Sequence, residues 1–208
     1  FISFSSFIAQ ENGTFYDVNN KKTYNTTTIE NQVWMTKNLD VTFFRNGDPI
    51  TRAKNHSEFV EFGLKGKPCY YDIDSIGILY QLNRINNDIT VKKYGKIYNW
   101  YAVTDPRGLA PEGWKVPSNS DWIDLKLSAS SKAVHLKQSN GWSDDEGVGV
   151  NRNKFFFSAL AAGIVVNGAH RSIGQTCSYW SSSEDENKGW CLELESHHNG
   201  IQFKKIKK

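Results

Sequence analysis

The sequence predicts an α+β domain, and three observations carry that prediction. Short runs rich in β-branched and aromatic residues recur along the chain, each bounded by a turn signal. One segment, beginning at Ser118, carries a complete helix start: a capping serine, an acid three residues on, and an apolar stripe behind it. No internal repeat and no low-complexity linker divides the 208 residues.

In chain order, Phe1 to Ala9 is apolar with small residues. It reads as the back half of a secretory signal peptide, cleaved after Ala9; the alternative is a first β-strand. No cysteine follows it, so a lipoprotein anchor is not expected. This sets residues 1–10 as a leader remnant and 11–208 as one domain. Thr23 to Val41, broken by Glu30-Asn31-Gln32, reads as a hairpin. Asn46-Gly47 marks a turn over Arg45 to Pro49. Ala53 to Asn87 reads as irregular, with one short strand at Pro68 to Tyr71. Ile97, Trp100 and Tyr101 stand at i, i+3 and i+4, which predicts a short helix within Tyr94 to Val103. Asp105 to Pro117 holds three prolines and two glycines and excludes regular structure. The Ser118 helix has Asp121 at its third position. Trp122, Leu125 and Ala129 form its buried stripe, and the period fades after Ser130. Phe155 to Ala162 and Ile164 to Val166 read as strands around Gly163. Cys177 to Ser183 and Gly189 to Leu194 read as a strand pair joined by Glu184-Asp185-Glu186-Asn187. A last strand is expected from Ile201, after an Asn199-Gly200 turn.

Composition removes several function classes. Lys+Arg 25 against Asp+Glu 22 gives +3, with both signs mixed along the chain, so no nucleic-acid partner is expected. No uninterrupted apolar run reaches the ~18 residues of a membrane helix. Aromatic residues at 13% argue against disorder. Three cysteines cannot all pair within one chain.

Four blocks, in order, resemble a known family. They are Asn31 to Met35 with Lys37-Asn38-Leu39, then Tyr94 to Val103, then Asp105 to Trp122, and then Phe157 to Gly163 followed by Tyr179 to Glu184. The chain resembles the Fibrobacter succinogenes major paralogous domain family. That resemblance implies a C-type lectin-like fold, akin to the formylglycine-generating enzymes: a twisted antiparallel sheet with two short helices and long loops. It also implies a secreted or cell-surface protein of the Bacteroidetes or Fibrobacteres. No general activity is established for the family. Ala110 stands where the family often has a cysteine, and the strand with which family members usually close the sheet is expected beyond Lys208.

Cys177 and Cys191, on segments read as neighbouring strands, are the disulfide candidate; buried free thiols are the alternative. The paired active-site cysteines of the formylglycine-type enzymes have no counterpart. His56, His135, His170, His197 and His198 show no zinc-ligand spacing, so no metal site is assigned to them. Glu184 to Asn187 lies where lectin-like domains place ligand loops and offers several oxygens that suit calcium. Asp144-Asp145-Glu146 is a second acidic cluster. Both also read as solvated loops, and neither carries a carbohydrate-selecting triplet. No nucleophile–base pair, phosphate loop or catalytic carboxylate pair can be placed. The expectation is therefore a non-enzymatic binding module for a polysaccharide or a surface protein. Its contact surface would comprise Trp142, Ser183, Glu184, Asp185, Glu186, Asn187, Trp190, His197, His198 and Asn199. The alternative is an accessory structural subunit of a bacterial surface or secretion assembly.

Overall fold

The computed structural model describes residues 3–4, 13–72, 94–139, 141–143, 152–166 and 169–208. The first elements are β1 (Ser3–Phe4), β2 (Gly13–Asp17), β3 (Lys22–Ile29), β4 (Gln32–Met35) and β5 (Thr51–Ala53). Helix α1 (His56–Leu64), β6 (Cys69–Asp72), β7 (Lys96–Tyr98), α2 (Trp100–Val103) and α3 (Asn119–Ser128) follow. A 3-10 turn, Ala133–His135, precedes β8 (Ile164–Val166), β9 (Ala169–Arg171), β10 (Thr176–Asp185), β11 (Lys188–Glu195) and β12 (His198–Lys207). The α+β expectation holds. Its detail differs: three α-helices stand among the described residues, and the strands form four small sheets rather than one.

The expected N-terminal hairpin is β3–β4, turning at Glu30, whose φ is 51°. It sits inside the order β1-β4-β3-β2. Ser3 and Phe4 pair with Trp34 and Val33. The rest of the expected leader, and its cleavage site at Ala9, lie outside the described residues.

Residues 73–87 of the segment expected to be irregular also lie outside them. The earlier part holds α1, which was missed. Its start is local chemistry: the Asn55 side chain accepts from the Glu58 N–H at 2.9 Å. The Tyr94 to Val103 block divides at Asn99. Before it β7 pairs with β6; after it α2 makes one turn. Asn99 directs this change. Its Oδ1 accepts from the Cys69 and Ala102 N–H groups, and its Nδ2 donates to the Lys67 carbonyl at 2.7 Å. Asn99→Ala is expected to cost about 2–3 kcal/mol, since a helix cap and two buried backbone partners lose their bonds together. A shifted urea midpoint at constant slope checks this.

Helix α3 follows its sequence closely. Ser118 Oγ accepts from the Asp121 N–H, and Asp121 Oδ2 accepts from the Ser118 N–H at 2.7 Å, closing the capping box. Trp122, Leu125 and Ala129 are all buried.

Phe155 to Ala162 is not a strand. Asn153, Phe156 and Ser158 have φ of 53°, 57° and 60°, left-handed values that a strand cannot contain. A single bridge, Lys137 to Ala159, is all the pairing there. The last turn is also shifted: Glu195 pairs with His198, so Ser196-His197 turn and β12 begins three residues before Ile201.

Among the described residues two large apolar clusters fill the interior, with two smaller ones beside them. Trp34, Trp122, Phe157, Leu192 and Leu194 belong to the first, between α3 and the β10-β11-β12 sheet. Tyr24, Met35, Phe44, Tyr98 and Trp114 belong to the second. An ion chain ties the N-terminal sheet to the middle one. Asp40 receives Lys22 and Lys96, and Lys96 also meets Asp72, which pairs with Arg52. Burial pushes the Asp40 carboxyl up, but hydrogen bonds from the two lysines outweigh it and hold its pKa below the usual carboxylate range.

Candidate functional site

The residues expected to form one contact surface are divided by the three-stranded sheet. The β10–β11 turn lies at one end of β11 and the β11–β12 turn at the other. Eight residues of strand separate them, a span of about 26 Å.

At the first end, Asp185 pairs with Lys188 and Glu184 with Gly189, so only Glu186 and Asn187 turn. Half of the expected acidic loop, Glu184 and Asp185, is strand. Neighbouring strand residues face opposite sides, and each carboxylate meets its own lysine, Glu184 with Lys208 and Asp185 with Lys205. Their oxygens therefore do not converge on one ion. Among the described residues no three His, Cys, Asp or Glu side chains group as a metal site. Ser183 Oγ accepts from the Asn119 N–H at 3.0 Å and docks the start of α3. Trp190 is half-buried, with Lys205 Nζ 4.8 Å from its ring centroid.

At the other end, His197 and His198 are exposed. The Asn199 side chain holds the Val134 N–H at 3.0 Å, which is a packing role. Trp142 is 8% exposed and belongs to the first core cluster. Its indole N–H donates to the Ala159 carbonyl at 3.0 Å, and the fully buried Lys137 lies against its ring. It is core rather than contact surface. Asp144-Asp145-Glu146 lies outside the described residues.

The expected Cys177–Cys191 disulfide is absent, and the register explains why. Cys177 pairs with Leu194, whereas Cys191 pairs with Trp180. The two are offset by three strand positions, about 10 Å, and face opposite sides of the sheet. That exceeds the reach of a disulfide. Burial pushes the Cys69 and Cys177 thiols up to about 12 and raises Cys191 as well, so none is a thiolate near neutral pH.

The described residues do form a site that the sequence reading missed: a cleft of about 360 Å³ beside the first end of the sheet. One wall is α1, with Val60, Gly63 and Leu64. The floor is β7 and α2. The opposite wall is Trp180, β8 and the end of β12. Trp100 and Trp180 meet edge to face at 5.4 Å, and the Trp180 indole N–H is fixed to the Tyr98 carbonyl at 3.0 Å. Leu64, 80% exposed, and Ile206, 37% exposed, give the rim an aliphatic character. Polar groups are few. Asn38 donates to the Tyr94 carbonyl at 2.8 Å, and its Oδ1 has no partner among the described residues. Lys96, also on the wall, is held by Asp40 and Asp72. Such a mostly apolar concavity with a few fixed polar groups suits ligand binding.

The cleft draws on the Tyr94 to Val103 block, and the core on Trp34 and Trp122. The family model of the Fibrobacter succinogenes major domain matches residues 27–206, which contain both. The chain belongs to the Fibrobacter succinogenes major domain family. No curated protein and no solved structure matches it. In this Fibrobacter succinogenes major domain the family blocks serve packing first. The Asp105 to Trp122 block, for example, wraps Arg45, whose guanidinium donates to the Ala110 and Trp114 carbonyls at 2.9 and 2.7 Å.

Proposed function

We propose that the chain is a non-enzymatic binding module, secreted or held at a bacterial cell surface, and that the aromatic cleft receives an apolar-anchored segment of a surface protein. The cleft itself is the observation that carries this reading. Its exposed parts, Leu64 and Ile206, are aliphatic, and each of the two indoles is turned edge or face toward the other. Aliphatic surface with few polar groups favours a peptide side chain over a sugar, which is selected by arrays of hydrogen bonds. The raised thiols speak against nucleophilic cysteine chemistry. A C-type lectin-like arrangement accords with small sheets, short helices and long connections. A polysaccharide ligand is the second reading, favoured by Trp190, half-buried near the strand turn.

Gly63 supplies the test. A Cβ added there meets nothing within 4 Å, and Gly63 lines the cleft, so Gly63→Trp introduces a large ring at its wall from a position with open space. A peptide display library and a glycan array, each in calcium and again in EDTA, are screened against both forms. Peptide ligands that weaken at least about tenfold in the variant, about 1.4 kcal/mol, are expected. Glycan ligands that bind both forms equally would overturn the assignment to the cleft.

A further inference from the structure

Glu193, in the middle strand of the β10-β11-β12 sheet, is 4% exposed. Its neighbour on the same face is Glu195, and a single ammonium group lies against both carboxyl groups. Lys204, from β12, reaches both: it is bonded to Glu193 Oε1 and lies 3.2 Å from Glu195 Oε1. Gln202 donates to Glu195 Oε2 at 3.2 Å and lies 3.4 Å from His198 Nδ1. One cation thus serves two carboxyl groups, one of them buried. Two adjacent carboxylates repel, and the arrangement is satisfied when the pair keeps a proton.

This cluster sits where the strand pairing is least regular. Glu193 pairs with Gln202 but Glu195 with His198, so Asn199, Gly200 and Ile201 bulge out of the β11–β12 ladder. The bulge reaches across to the 3-10 turn. Asn199 Oδ1 accepts from the Val134 N–H, and the Ile201 N–H donates to the Ser131 carbonyl at 3.4 Å. Where backbone bonds are missing, Lys204 and Gln202 hold Glu195 to β12.

We infer that Glu193 and Glu195 share one proton beneath Lys204 and act as a latch that keeps this irregular end of the β11–β12 pairing closed. Burial raises Glu193 above the usual carboxylate range, while the contact with Glu193 holds Glu195 below it. The sign follows. Glu193's contribution is complete below the ordinary glutamate value and is lost as pH rises through its raised value; Glu195 opposes this only at lower pH. The other titratable groups placed near this pair in the described residues are Lys204, His198, the thiols of Cys177 and Cys191, and the buried Lys137, which donates to the Ser196 carbonyl at 3.3 Å. The thiols are raised and stay neutral throughout this range.

The test is amide exchange at Val134 and Ile201 between about pH 4 and about pH 8, corrected for intrinsic rates, in the whole chain and in Glu193→Gln. Protection in the natural chain is expected to fall about tenfold for each unit by which Glu193 is raised, and to stay flat in the variant. His198→Gln serves as a control, because the His198 ring lies 3.4 Å from Gln202 Nε2 beside the pair; it should keep the fall. Equal pH dependence in natural chain and Glu193→Gln, or loss of the fall in His198→Gln, overturns the latch. Carbon-detected titration of Glu193 in the natural chain decides the matter if Glu193→Gln fails to fold: a midpoint above the ordinary glutamate range supports the latch, and one at or below it overturns it.

Discussion

Trp122→Ala is expected to destabilise the domain by about 3–5 kcal/mol, the range for removing a fully buried aromatic side chain and leaving a cavity. The ring is wholly buried and lies among three others: Trp34 at 5.1 Å, Tyr179 at 5.9 Å and Phe157 at 6.5 Å between centroids. Its indole N–H also donates to the Trp180 carbonyl at 3.3 Å. Removing it therefore strands a carbonyl as well as opening the space under the β10-β11-β12 sheet. Trp34→Phe provides the contrast. That ring is equally buried, but its indole nitrogen has no partner among the described residues. Phenylalanine would remove an unsatisfied donor along with some volume, so its cost should be clearly smaller. Urea unfolding followed by two probes measures both. Costs of similar size would contradict the assignment of the indole bonds.

Gly189→Ala is the second large effect, expected at about 2–3 kcal/mol from overpacking. Gly189 lies near the start of the middle strand, opposite Glu184 and Ile206. Its backbone is not in the left-handed region, so conformational freedom is not the reason for glycine. Space is. A Cβ there would stand 2.4 Å from the Trp100 ring and 2.9 Å from that of Trp180. Trp100 is buried and wedged against Trp180, so it cannot swing away. The two substitutions should therefore couple. In a Trp100→Leu background the Gly189→Ala cost should largely disappear, giving an interaction term above about 1 kcal/mol in a double-mutant cycle. An additive result would place the strain in the backbone instead.

What was legible in the sequence was local. The β3–β4 hairpin and the Ser118–Asp121 box are set by residues a few positions apart; the box stands as read, and the hairpin stands with its second strand ending at Met35 rather than Val41. Helix α1 escaped the reading: its local signal is confined to the Asn55–Glu58 cap, its apolar repeat is short, and Phe59 is its buried residue. The left-handed residues at 153, 156 and 158 could not be read, because nothing in Phe, Ser or Asn fixes a positive φ.

The candidate site was less legible, since it depends on register. Cys177 and Cys191 look like partners by spacing, and only the pairing of Trp180 with Cys191 shows them on opposite faces. The same strands carry the Glu184–Asn187 and His197–Asn199 groups to opposite ends of the sheet. The cleft needed more still: α1, β7, α2 and β12 are far apart in the chain, and nothing local brings Leu64 near Ile206. Membership of the Fibrobacter succinogenes major domain family, by contrast, was readable from four blocks whose roles are mainly to pack.

The most direct measurement of the central claim is to titrate a selected peptide ligand into isotope-labelled protein and follow the amide and indole resonances. Shifts are expected at Gly63, Ile206 and Lys207 and at the Trp180 indole, which line the cleft, with little change at Glu186, Asn187 or His197. Shifts confined to those turn residues, with the Trp180 indole unmoved, would contradict the assignment of the cleft as the binding site.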